Sequence, residues 1–184
     1  MNRSLHYVLD TATPTDADKA QLREWLMRIY GIVSDLCESL APNQDPPNWM
    51  LVDAGDAPLR VIEFAGPDQM RHAFVESVRE SIRSSSDTPA FAAYMGVVYK
   101  TDIMAAQPRR VECLLIHLET PQKHVGAIYA DILRTPDAAP RLAPPSIQIY
   151  EGCGASVQGG MVGYFLPPII ETDDEAIPPM SQRH

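Results

Sequence analysis

The sequence predicts an α+β fold: a two-layer sandwich with two amphipathic helices packed on one face of a largely antiparallel sheet of about five or six strands. Three observations lead there. Residues 15 to 40 carry a long apolar stripe of helical period, a shorter stripe of the same period follows Gly66 and Pro67, and beyond residue 90 the period changes to that of strands.

In the first segment Leu22, Trp25, Leu26, Ile29, Ile32, Val33, Leu36 and Leu40 recur at spacings of three and four, which draws one apolar face. Thr15, with Asp18 three residues on, has the form of a capping box, and Pro42 stops the helix. At about 1.5 Å per residue such a helix is long enough to lie across a sheet. WMLVDAG and LRVIEFAG, residues 49 to 55 and 59 to 66, are two short aliphatic runs around Gly55, Asp56 and Pro58, a hairpin pattern with a loop. Pro67 then suits the first position of a second helix, where its missing amide costs little. Met70, Phe74, Val78 and Ile82 form the expected buried face of that helix. Arg71, His72, Glu76, Arg79, Glu80 and Arg83 form its wet face, and Ser84 to Ser86 end it.

AFAAYMGVVYKT, VECLLIHLE, VGAIYADILR and SIQIYEG follow as four strand-like runs separated by proline-containing loops. With no helical segment between them they lack the crossovers that parallel pairing needs, so antiparallel neighbours are expected rather than a doubly wound fold. After residue 151 the chain turns glycine-rich, passes through MVGYFL, and ends in acids and prolines. The expected organisation is one α+β domain over residues 1 to 166 and an acidic, proline-containing tail over 167 to 184 without stable order.

Composition narrows the function. A 184-residue chain that is 45% hydrophobic and 21% charged can build a core of its own. A net charge of −9 and a pI near 4.9 repel anionic polymers and anionic lipid, so no nucleic acid and no membrane partner is expected. Arg71, Arg79 and Arg83 cluster, but acids interleave with them. No run approaches the ~18 apolar residues of a membrane span, and the N-terminus lacks a signal-like core. Cys37, Cys113 and Cys153 are odd in number and have no C-x-x-C spacing, which indicates free thiols, a reducing compartment and a cytoplasmic protein.

RRVECLLIHLE, residues 109 to 119, is the one stretch that sets titratable groups inside an apolar run. Alternation puts Val111, Cys113, Leu115, His117 and Glu119 on one face. His117 and Glu119 fall near the strand exit, so a rim position that reaches water is expected. The sharper reading makes His117 a general base whose tautomer is fixed by Glu119, or by Asp131 from the next strand. H-L-E also matches half of a zinc deaminase signature, but the P-C-x-x-C half is missing. GCGASVQGG, residues 152 to 160, has valine at 157 where a dinucleotide fingerprint needs glycine, and no helix pattern follows. No cofactor and no metal is therefore expected, and His117, Glu119 and Asp131 remain as the catalytic candidates. His72 and Glu76 form an exposed helical pair without assigned function, and Cys153 has no base beside it.

The tail is the stronger non-enzymatic feature. In FLPPIIETDDEAIPP apolar pairs flank an acidic centre, a composition suited to adding as an extended strand to another surface. Phe165, Leu166, Ile169 and Ile170, together with Trp25 on the first helix, are the expected partner-binding residues. The expected function is thus a non-enzymatic protein-interaction or regulatory module with a protein partner or self-association. A small enzyme or small-molecule binder with a cleft near His117, Glu119 and Asp131 is the alternative.

Overall fold

The structure is a computed structural model that describes residues 5–9, 11–46, 48–53, 59–64, 70–86, 88–102, 109–152, 155–158, 165 and 168–173. The chain runs β1 (Leu5–Leu9), α1 (Asp16–Glu38), β2 (Asn48–Asp53), β3 (Arg60–Phe64), α2 (Arg71–Ser84), β4 (Phe91–Asp102), β5 (Arg109–Glu119), β6 (Val125–Leu133), β7 (Arg141–Leu142), β8 (Ser146–Ile149), β9 (Ala155–Gln158) and β10 (Pro168–Asp173). The main sheet has the order β3-β2-β4-β5-β6-β7, β8 also pairs with β6, and every ladder is antiparallel. The class is therefore α+β. Among the described residues no helix is long and apolar enough to cross a membrane.

The expected capping box opens α1. Thr15 Oγ1 accepts from the Asp18 amide at 3.3 Å, and the Thr15 amide donates to Asp18 Oδ2 at 2.9 Å. These are amides that the first helical turn leaves without partners. Leu22, Leu26, Ile29, Val33 and Cys37 are the buried stripe, packed on Leu51, Met95, Leu114, Ile116, Leu118 and Ile128 of the sheet. Leu26 sits directly over Gly126 of β6, where an added Cβ would come within 2.9 Å of Leu26 Cδ1. Close approach of helix and sheet is what requires glycine there.

The second helix corrects the expected arrangement. Along β2, Trp49 and Leu51 join the α1 core, while Met50 and Val52 point the other way and pack with Val75 and Ile82 of α2. The two helices therefore cover opposite faces of the sheet. The physical reason lies in β2 and β4, where residues 49 to 53 and 91 to 96 are all buried, and a strand dry on both faces needs cover on both. Met70, expected in the buried face of α2, is 58% exposed, because it is the residue before the helix's first turn; Val75 is buried instead. Arg79, expected in water, is largely covered, and its guanidinium bonds Glu76 at 2.9 Å. Gly66 and Pro67 lie outside the described residues.

A second, three-stranded sheet of order β10-β1-β9 joins segments from near both chain ends, with Val8 registered on Ile170 and on Ser156. Neither β1 nor this sheet is among the elements read from sequence. The expected tail boundary at 167 stands one residue before β10, and residues 174–184 lie outside the described part. Because Leu26 fills the closest contact of the α1 layer, Leu26→Ala is expected to lower the unfolding free energy by about 2 to 5 kcal/mol in urea denaturation. A change below about 1 kcal/mol would mean that the helix is not seated on the sheet as described.

Candidate functional site: a buried histidine and glutamate

β5 pairs with β4 on one side and β6 on the other, and the register fixes what surrounds its polar end. His117 lies opposite Tyr94 and Ala127, and Glu119 opposite Ala92 and Val125. Tyr94 and Ala92 belong to the α2-side core, so His117 and Glu119 face that layer. The expected wet rim is not found. His117 is 1% and Glu119 0% exposed. Part of the cover comes from a distant stretch of chain. Phe165 packs against the α2-side core, and its backbone N–H donates to Glu119 Oε2 at 3.4 Å.

Inside this layer His117 Nε2 and Glu119 Oε1 are hydrogen-bonded at 3.1 Å. A carboxylate that takes the Nε2 proton fixes the tautomer of a neutral ring and leaves Nδ1 with its lone pair. His117 Nδ1 is buried and has no hydrogen-bond partner among the described residues. The Tyr94 hydroxyl donates to Asn48 Oδ1 at 2.5 Å. Its ring leans over Gly96, where an added Cβ would lie 2.9 Å from Tyr94 Cε1, one pleat along from His117. On the β6 side Tyr150 and Tyr129 are hydrogen-bonded to each other, and burial first, then that bond, pushes the Tyr150 phenol up.

Asp131 does not join the pair. It is registered on Cys113, four residues from His117 along β5, which is about 13 Å at 3.3 Å per residue. It bonds Lys100 Nζ at 2.5 Å instead. The expected partner-binding residues are also placed. Trp25 is half-buried in the α1 layer with its ring 5.2 Å from that of Phe91, and Phe165 is the half-buried cover just described. Ile169 and Ile170 stand in β10. Leu166 and Cys153 lie outside the described residues. So does much of the glycine-rich stretch, within which residues 155 to 158 form β9.

Among the described residues no group of three His, Cys, Asp or Glu side chains is arranged to hold a metal ion. Two surface clefts are small. One of about 70 Å³ lies between α1 and the β5–β6 turn beside Asp18, Trp25 and His124, and one of about 110 Å³ lies between α2 and β3 beside Arg60, Val78 and Ser85. Drug-sized ligands occupy pockets of about 300 Å³ and more. At the first cleft His124 Nε2 lies 3.9 Å from Asp18 Oδ2, a pairing absent from the sequence reading. Hydrogen bonds from the Thr15 hydroxyl and amide hold the Asp18 carboxyl below its ordinary range. No protein-family model matches this chain, and no curated protein or solved structure is significantly similar to it.

Cys37 and Cys113 are both buried, and burial pushes the Cys37 thiol up to about 11 and the Cys113 thiol up as well. Both are protonated at neutral pH, so iodoacetamide at pH near 8 is expected to leave their peptides unlabelled until the chain is unfolded. For Cys37 the sign also fixes a pH dependence. The unfolded thiol ionises first, so stability is whole below about pH 9 and falls as pH rises toward about 11. Labelling of either peptide in the folded chain would contradict the burial.

Glu119→Leu removes one partner of the dry pair and strands the imidazole. It is expected to cost about 1 to 3 kcal/mol, and His117→Phe combined with it is expected to recover part of that loss. Additive effects in the double-mutant cycle would show that the two side chains do not interact.

Proposed function

We propose that this chain acts in the cytoplasm by binding another protein, as a self-associating adaptor or a regulatory subunit. The outer edge of the main sheet is the observation that carries the reading. Among the described residues β3 pairs only with β2, so one row of its backbone N–H and C=O groups faces outward, and Val61 on this strand is 44% exposed. An edge of this kind is a ready template for a strand from another chain. The flanking Arg60 and the neighbouring Glu63 are exposed, which discourages indiscriminate pairing. The net charge of −9 favours a neutral or basic protein surface over an anionic polymer. The acidic segment expected to reach a partner has its residues 168 to 173 paired with β1 of the same chain, which makes β3 the better candidate for contact.

Light scattering on the purified chain and quantitative capture from source-cell lysate test this reading, with Val61→Lys as the comparison. Self-association or one stoichiometric partner is expected, weakened at least about tenfold by Val61→Lys with little change in melting temperature. A monomer that recovers nothing above control would sink the reading.

A second reading has one specific observation in its favour. The small-molecule binder or small enzyme expected as the alternative would use His117 and Glu119. Glu119 orients the ring, and Nδ1 is left as the acceptor, the arrangement a general base requires. Asp131 has no part in it, being paired with Lys100.

A further inference from the structure

We infer that Nδ1 of His117 anchors a buried site for a small neutral ligand that donates one hydrogen bond, such as an alcohol, a phenol or a primary amide; the inference rests on the second reading above. A buried acceptor without a partner is uncommon in folded chains, and each one calls for a group that satisfies it. Among the described residues His117 Nδ1 has no partner, on a side chain 1% exposed.

The tyrosine hydroxyls on the neighbouring strands are engaged elsewhere. Tyr94 donates to Asn48, and Tyr129 and Tyr150 bond each other. Beside the imidazole the sheet offers short side chains, with Ala127 directly across on β6 and Ala92 diagonally across on β4, both fully buried. Two methyl groups make a shallow apolar floor next to a polar nitrogen. Leu115, 5% exposed, continues that apolar surface along the same face of β5.

The chemistry selects the ligand class. Where the Glu119 carboxylate takes the Nε2 proton of a neutral ring, Nδ1 is left to accept, so the ligand brings an O–H or N–H. Glu119 is already engaged through Oε1 with His117 and through Oε2 with the Phe165 amide. An anion would stand beside this carboxylate, and a cation would lose its hydration without a free counter-charge, so a neutral group fits the dry layer best.

Chemical shifts of the imidazole nitrogens in the full-length chain labelled with ¹⁵N-histidine test the site. Ethanol, phenol and acetamide serve as neutral donors, with acetate and tetramethylammonium as charged comparisons. A saturable shift of His117 Nδ1 with at least one neutral donor is expected, weakened at least about tenfold in Ala127→Val, which fills the floor directly across from His117 and leaves both residues of the pair in place. Unchanged affinity in a folded Ala127→Val chain would overturn the placement. A saturable shift with acetate or tetramethylammonium alone would overturn the neutral class and leave the second reading standing. No saturable shift with any probe, the nitrogen being satisfied by resident water, would overturn both.

Discussion

Strands β4 and β5 are registered over eleven positions, and through residues 91 to 96 and 113 to 119 neither face of the pair reaches water. A sheet centre of this kind cannot be stable with one covered side, since each exposed leucine or isoleucine would forfeit about 1.5 to 3 kcal/mol of burial. The remaining elements answer that need. α1 closes one face with a five-residue stripe. The other face is closed by α2 over β2 and β4, and at β5 the backbone of Phe165 reaches Glu119.

The same constraint decides what the polar residues of β5 do. At one end the cover is continuous, so His117 Nε2 and Glu119 meet in a dry layer and are oriented more tightly than a solvated pair would be. At the other end the ladder runs on past β2, which pairs with β4 only at residues 91 to 95. There Lys100 and Asp131 are partly in water, and the Arg110 guanidinium lies 3.7 Å over the exposed Tyr99 ring. An ion pair in water carries little energy, because solvent screens the pair and both partners keep alternative contacts. Burial is what separates the candidate site at the first end from the ordinary surface at the second.

The placement of aromatic residues follows the same division. Trp25, which sequence offers as a partner-binding residue on α1, and its neighbour Tyr30 are drawn into structure, Trp25 against Phe91 and Tyr30 by donating to the Ala143 carbonyl at 2.9 Å. The large apolar side chains left in water are Met27, Val61, Met70, Tyr99 and Leu133 among the described residues. They are scattered singly, as on most soluble surfaces, and Val61 differs only because its strand ends the main sheet among the described residues.

By itself the sequence determined the local structure: the span and capping box of α1, the β2–β3 hairpin, the existence of α2, the antiparallel strands β4, β5, β6 and β8, and the face shared by His117 and Glu119. Those features follow from spacing, turn residues and alternation within one short window, where the physics is local. Tertiary structure alone decided which face each helix covers, because the apolar runs in β2 and β4 say that both faces are dry without saying what dries them. It decided the pairing of β1 with β10, whose partners are about 160 residues apart. It also decided the burial of the histidine and glutamate, since the amide of Phe165 comes from 46 residues further along the chain and no periodicity within β5 encodes its arrival.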